Sequence, residues 1–402
     1  MKLFTGDISV IKDEIENLRE HVCRCKNVNE ARSVLFTIYA LIDVYFSLDG
    51  KEVKSWKNIS KNRYYSIKAE EQSLKLYKKY INNFIENKDI HKDLMNQVML
   101  RYEDEYENIK DFYYDDKMLS DDQMIKIMCD FLDTMGKNDK EKFFKLIDDK
   151  KIFLLHEKLP SYDGMCTYNC INGESIIVLS DNYENSVMLM TTLMHEFGHV
   201  IDYDDLYMNH SFKEKGNFFA TSSYQEVISE FYEKEFLRYL ISNNIEVDAA
   251  KRELESHYTA LFNNVEDLLL LTNLPNRYLK NNMYYDLDNE EINMILMDNN
   301  DEYYSFYENI DNDNYPLENI EIHDADVYAY GGLLSNYLSY VKHHDKEKFN
   351  RIYNNFNTYK AKKFSPSILT ILETTKEKIV DVLFDELKVI QEDGKVYKKS
   401  NN

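Results

Sequence analysis

The sequence predicts a mostly helical fold, and three features favour that class. Only 10 glycines and 4 prolines occur among the 402 residues, so the chain contains few residues that break a helix. Hydrophobic residues make up 44% of the chain, which is enough to build a large core. Apolar side chains also recur at helical spacing through most of the sequence. These features predict long helices and little sheet.

The first 150 residues are predicted to form an N-terminal helical lobe. This stretch contains three glycines and no proline. Its clearest helix lies in "LSDDQMIKIMCDFLDTMG", where Ser120 and Gln123 form a predicted capping box at the start and Gly136 ends the run. The apolar residues between them share one face, which indicates a helix packed on a core.

A small sheet is predicted where this pattern stops, at the start of a second region covering 151–402. Residues 152–155 and 175–179 are short β-branched or apolar runs with glycines between them. Asn185 or Ser186 then begins an apolar helix. Helices are predicted again from about residue 222 to about 392, interrupted by the acidic loop "DNDNYP" at 311–316.

Charge and hydropathy narrow the range of partners. Acidic residues outnumber basic ones by 72 to 49, and a net charge of −23 disfavours binding to nucleic acid or to an anionic membrane. The first residues lack the apolar segment of a signal peptide, and no run of about 18 apolar residues occurs. We therefore expect a cytoplasmic protein. The sequence does not indicate its oligomeric state.

The five cysteines do not form a disulfide pattern, because their number is odd and the chain is long. Cys166 and Cys170 have a spacing that occurs in metal sites. No second pair completes a set of four ligands, so we do not predict a cysteine zinc site.

The segment "TTLMHEFGHVIDYDD" carries the strongest chemical signal. His195 and His199 are four residues apart, so on a helix both imidazoles face the same way and can bind one metal ion. Glu196 would lie beside the ion and could act on a water. The motif predicts one zinc ion per chain and is typical of metallopeptidases. The alternative is an ordinary helix with two hydrogen-bonded histidines.

A zinc hydrolase needs a third protein ligand, and "SSYQEVISEFYEKEF" supplies candidates. Glu226 and Glu230 lie one turn apart on a predicted helix, with Glu233 at the next turn. Glu226 could instead close a capping box that begins at Ser223. Asp202, one turn beyond His199, is expected to be solvated at the end of its helix.

A later segment, "IHDADVYAYGGLL", offers hydrogen-bond donors for a negatively charged intermediate. His323 and Tyr330 are seven residues apart and would share a helix face, so Tyr330 is a better candidate than Tyr328. The alternative is that these tyrosines only pack between lobes.

Four segments in this order carry a family resemblance: "GMCT" (164–167), "HEFGH" (195–199), "EVISEFYE" (226–233) and "IHDADVYAYGGLLS" (322–335). The set resembles the oligoendopeptidase F and thimet oligopeptidase family of zinc metallopeptidases, over roughly residues 160–392. The resemblance implies a two-lobed helical zincin of the gluzincin type. A small sheet would lie beside the HExxH helix, and a deep channel would admit short unfolded peptides.

The resemblance also implies roles for individual residues. Glu226 would be the third zinc ligand. From its place one turn further along the same helix, we expect Glu230 to orient a ligand imidazole through its free N–H. The residues of the first strand would bind the substrate, and the later histidine and tyrosines would stabilise the tetrahedral intermediate. These residues are Gly164, Met165 and Cys166 on the strand and His323, Tyr328 and Tyr330 in the later segment.

The sequence departs from the family in two places. The resemblance makes residues 151–402 the catalytic zinc metallopeptidase region, and the helical part that precedes it is much shorter than in typical members. Gly331 and Gly332 also stand where further aromatic residues are expected. Both departures bear on the choice of peptide substrate more than on the reaction that the resemblance implies.

Two other functions remain open. "HEFGHVIDYDD" is also similar to the helix of lethal-factor-type bacterial proteases, which would indicate a toxin-like or substrate-dedicated enzyme. A catalytically silent helical binding protein with a structural zinc is the third possibility. Glu196 argues against it, because a structural site has no use for a base.

Overall fold

The structure, a computed structural model, confirms a mostly helical fold with one small sheet. It describes residues 2–49, 56, 64–105, 118–155, 164–180, 183, 185–274, 276, 279, 322–362 and 367–391. The predicted acidic loop at 311–316 lies outside these residues. The helices are α1 (Ile8–Val22), α2 (Val28–Asp49), α3 (Tyr64–Glu86), α4 (Lys88–Glu105), α5 (Asp121–Leu132), α6 (Asp139–Asp148), α7 (Ser186–Asn209), α8 (Phe212–Thr221), α9 (Val227–Ser242), α10 (Val247–Asn273), α11 (Ile322–His344), α12 (Lys346–Tyr359), α13 (Ile368–Ile371) and α14 (Lys376–Gln391).

The sheet contains β1 (Ile152–Leu155), β2 (Gly164–Tyr168) and β3 (Ser175–Ser180) in the order β1-β3-β2. β1 runs parallel to the central strand β3, whereas β2 pairs antiparallel with it. Every residue of β3 is buried. Successive side chains of a strand point to opposite faces, so this strand is covered on both sides.

Predicted helix starts are confirmed at two places. Ser120 and Gln123 form the expected capping box before α5. Asn185 caps α7, because its Oδ1 accepts hydrogen bonds from the backbone N–H groups of Val187 and Met188 at 2.9 and 3.0 Å. The apolar helix that carries the HExxH motif begins at Ser186, six residues after the last residue of β3.

Two hydrophobic cores lie on opposite faces of the sheet. Ile177 and Leu179 of β3 belong to the larger core, which also contains most of the helices from α3 to α14. Ile176 and Val178 belong to the smaller core, which β3 shares with α1 and α2. The larger core contains residues from both sides of residue 150, and the division into two lobes there stays a prediction. None of the described helices is long and apolar enough to cross a lipid bilayer.

Candidate metal centre

Three predicted ligands meet where α7 crosses the start of α9. The Nε2 atoms of His195 and His199 each lie 3.1 Å from Oε2 of Glu226. One donor atom from each of the three residues lies within 4.8 Å of the others. Two imidazole nitrogens and one carboxylate oxygen form a donor set that catalytic zinc sites use, with a position left open for water or substrate.

The ligands come together because glycines let the helix backbones approach closely. A Cβ at Gly198 would lie 2.5 Å from Cα of Ser229 and 2.9 Å from the carbonyl oxygen of Ile228. Residue 198 lies within the HExxH motif, so this close crossing fixes both histidines against α9. Gly331 of α11 makes a similar approach, since its Cβ would lie 2.8 Å from Cβ of Glu226.

The charges at this centre are strongly coupled. Burial favours the neutral forms of His195, His199 and Glu226, but the attraction between the imidazoles and the carboxylates has the larger effect on their pKa values. Burial opposes protonation of His195, yet the Glu233 and Glu226 carboxylates raise its pKa well above the usual value. The imidazoles in turn hold the pKa of Glu226 well below its usual range, against the effect of burial. A divalent cation bound here would replace the protons on the two imidazoles as the positive charge that faces the Glu226 carboxylate.

Glu196 is buried beside these ligands but does not belong to the three-donor set. Burial raises the pKa of its carboxyl group, and the nearby imidazoles partly offset that effect. Gly164 of β2 is its close neighbour, because a Cβ at residue 164 would lie 2.7 Å from Oε1 of Glu196. The predicted substrate strand therefore lies directly against the predicted base. Met165 and Cys166 follow on this strand, and both are partly exposed.

The predicted role of Glu230 is wrong, because the structure places Glu233 against the ligand imidazole. Oε2 of Glu233 lies 3.0 Å from Nδ1 of His195. Glu230 pairs instead with the buried Lys234, at 2.8 Å. Glu226, Glu230 and Glu233 follow one another on the same helical stripe, so their spacing does not decide which of the later two meets His195. The packing of α9 on α7 turns Glu233 to His195 and Glu230 to Lys234.

Removing Glu233 is expected to weaken zinc binding without removing a ligand. Partners that orient a ligand imidazole typically contribute 10–100-fold to metal affinity. We therefore expect Glu233→Ala to raise the zinc dissociation constant by about that factor. Glu230→Ala is the matched control. It removes the ion pair of Lys234, so it is expected to lower the melting temperature while zinc affinity is unchanged. A competition titration with a chromophoric chelator measures both affinities, and a reversed order would contradict the assignment.

Asp202 is not the solvated residue that the sequence suggested. It is 1% exposed and forms a buried ion pair with Lys360, which follows α12 and is itself fully buried. Lys360 also lies 3.0 Å from Asp205. Nδ1 of His199, one turn before Asp202, is buried and makes no hydrogen bond to any described residue. The Nε2 atoms of His195 and His199 both face the Glu226 carboxylate, so the residues present fit a zinc ion.

The predicted preference for Tyr330 is also wrong. Its side chain is 2% exposed, and its hydroxyl lies 3.0 Å from Nδ1 of His91 in α4. His323 and Tyr330 do share a helix face, but that face packs on α3 and α4. The ring of His323 lies 5.7 Å from the ring of Tyr80 in α3. Packing between helices, the alternative reading of these tyrosines, therefore describes Tyr330.

His323 lies against the segment that carries Glu226, and Tyr328 lies in the turn of α11 before Gly331. Nε2 of His323 is 3.2 Å from Nε2 of Gln225, the residue before Glu226. Tyr328 is partly buried and lies one turn before Gly331, the glycine that contacts Glu226. By helical phase, Tyr328 lies closer to this contact than Tyr330 does.

No family model and no curated protein sequence matches the chain. Several solved structures are similar to it. One is a protein assigned as an oligoendopeptidase F from Bacillus anthracis str. Ames, with 14% identity, 91% of this chain and 64% of that chain covered, and a TM-score of 0.44. Another is a protein assigned as a peptidase from Chlamydophila abortus, with 15% identity, 91% and 62% covered, and a TM-score of 0.44. A third is PZ peptidase A with an inhibitor, with 11% identity, 97% and 72% covered, and a TM-score of 0.41. The chain spans less than two thirds of the length of the first two proteins.

Proposed function

We propose that the protein is a zinc metallopeptidase that hydrolyses internal bonds of short unfolded peptides. The observation that supports this most directly is the convergence of His195, His199 and Glu226, with the separate carboxylate of Glu196 buried beside them. A zinc ion held by the three ligands would polarise the scissile carbonyl and lower the pKa of an attacking water. A purely structural site would need no carboxylate in the position of Glu196.

Glu196 has the chemistry of a general base in this proposal. Burial raises the pKa of its carboxyl group, which strengthens it as a proton acceptor. It takes a proton from the attacking water and passes that proton to the nitrogen of the leaving amine. Gly164 leaves room for the carboxylate of Glu196, because a Cβ at residue 164 would lie 2.7 Å from its Oε1.

The substrate is proposed to bind as an extended strand along β2. This strand lies at one edge of the described sheet and pairs with β3 on its other side. Its first residues, Gly164, Met165 and Cys166, are partly exposed next to Glu196. Backbone pairing with an edge strand binds extended peptides and not folded segments, which supports a limit to unfolded substrates.

Tyr328 is proposed to stabilise the oxyanion of the tetrahedral intermediate. His323, which contacts Gln225 next to the ligand Glu226, is proposed to assist it. Removing one such donor usually costs about 10²–10³ in kcat. Tyr328→Phe tests this donor in the peptide assay below, with Tyr330→Phe as the matched control, because its hydroxyl contacts His91.

The proposed function is tested by metal content together with peptide turnover. The purified protein is expected to contain one zinc per chain at this centre and to cleave an internally quenched fluorescent peptide. Chelation should abolish cleavage, and added zinc should restore it. Mass spectrometry of the products should locate cuts at internal bonds. A protein that contains zinc but cleaves no member of a broad peptide library would indicate the structural-zinc alternative. Cleavage that survives complete removal of zinc would overturn the proposal.

A further inference from the structure

The turn between α1 and α2 contains a second group of metal-binding side chains, remote from the HExxH helix in sequence. His21 lies in the last turn of α1, Cys25 in the connection and Glu30 in the first turn of α2. One donor atom from each residue lies within 4.8 Å of the others, as in the candidate centre described above. Nε2 of His21 is 3.0 Å from Oε1 of Glu30, close to the 3.1 Å between each ligand histidine and Glu226.

We propose that His21, Cys25 and Glu30 form a second metal site, which binds zinc or another thiophilic divalent cation. Sulfur, imidazole nitrogen and carboxylate oxygen are the three donor types that zinc accepts in proteins. A thiolate among them disfavours magnesium and calcium, which prefer oxygen ligands.

Hydrogen bonds to the local backbone orient the carboxylate of Glu30. Oδ1 of Asn27 accepts a hydrogen bond from the backbone N–H of Glu30 at 3.0 Å. Oε2 of Glu30 accepts one from the backbone N–H of Lys26 at 2.9 Å. These bonds cap α2 and fix the orientation of the carboxylate, whose other oxygen faces His21. Capping explains the contacts of Asn27 and Glu30, but it does not require an imidazole and a buried thiol at the same point.

Cys25 is 7% exposed, and burial, reinforced by the charge of Glu30, raises the pKa of its thiol to about 12. Binding forms a sulfur–metal bond and releases the thiol proton to solvent.

The site lies beside a part of the chain that is distant in sequence. Cys170 follows β2, is 1% exposed, and lies close enough to Cys25 to contribute to the raised pKa of the Cys25 thiol. In the same region Oε1 of Glu14 in α1 accepts a hydrogen bond from Nδ2 of Asn172, at 3.2 Å. A metal ion at this turn would fix the end of α1 against the start of α2. Because the unfolded chain does not hold the three ligands together, binding should raise the melting temperature.

Cobalt(II) titration of the whole protein tests the site. A thiolate ligand gives an intense thiolate-to-cobalt absorption in the near ultraviolet, whereas the His-His-Glu set at the HExxH helix contains no thiolate. We expect the wild-type protein to show this band and to bind two equivalents of cobalt. Cys25→Ser should lose the band and one equivalent. Cys129→Ser, which alters another buried cysteine, should behave as the wild type does.

Two further variants separate this site from the proposed active site. His199→Ala should lose an equivalent of cobalt but keep the thiolate band, whereas His21→Ala should lose the band but keep peptide cleavage. Circular dichroism confirms that each variant is folded. The proposal is overturned if the folded wild-type protein shows no thiolate band, or if the band persists in Cys25→Ser. Failure of peptide cleavage alone would affect only the proposed function.

Discussion

Replacing Glu196 with glutamine is expected to lower kcat by about 10²–10⁴-fold while zinc remains bound. Glutamine has almost the same shape as glutamate but cannot accept the proton of the attacking water. Glu196 lies outside the set of three donors, so the change removes no ligand. Steady-state kinetics on a quenched peptide, with zinc measured on the same samples, checks both parts of this expectation.

Glu174→Gln makes the same chemical change in the turn before β3 and serves as the control. Its carboxylate pairs with Lys151, away from the ligands, so kcat should be unchanged. Loss of zinc from Glu196→Gln would show that Glu196 holds the metal, and wild-type turnover would exclude it as the base.

Adding one methyl group at Gly198 is expected to disrupt the metal centre. The new Cβ would meet the backbone of α9 at Ser229 and Ile228, and backbone atoms cannot move aside as a flexible side chain can. The helices must separate, which moves Glu226 away from both histidines. Overpacking of this kind typically lowers the free energy of unfolding by about 1–3 kcal/mol. Urea unfolding and zinc analysis of Gly198→Ala should show both the lower stability and the loss of metal.

Gly332→Ala provides a matched comparison for this substitution. Its Cβ would also be close to a neighbour, 2.5 Å from a methyl carbon of Leu261, but that neighbour is the end of a side chain. We expect a smaller loss of stability and full zinc content. Equal zinc content in the two variants would show that the close crossing at residue 198 is not needed for the site.

Local sequence signals predicted the parts of the fold that depend on local chemistry. The capping box at Ser120 and the cap at Asn185 depend on hydrogen bonds within a few residues, and both are confirmed. The short β-branched runs likewise gave β1 and β3. The HExxH motif identified two donors on one face, because a single helix fixes their separation.

Contacts between distant segments were not predictable in this way. Asp202 looked like a helix-end residue because its partner, Lys360, lies 158 residues away. Tyr330 was ranked on its shared face with His323, but the phase of a helix does not reveal which neighbour that face meets. The direction in which α9 crosses α7 decides between Glu230 and Glu233, and that direction is a property of the packed helices.

Distant relatives with this metal centre should be recognisable by small residues as well as by histidines and carboxylates. At residues 164, 198 and 331 an added Cβ would lie within 3 Å of Glu196, of the α9 backbone or of Glu226. These positions therefore restrict side-chain volume for a geometric reason that is independent of the metal chemistry. A search pattern that requires glycine at the three positions, in this order around HExxH and the later glutamate, would reject chance HExxH matches that lack the packing. Such a pattern recognises the close packing around the ligands in addition to the ligands themselves.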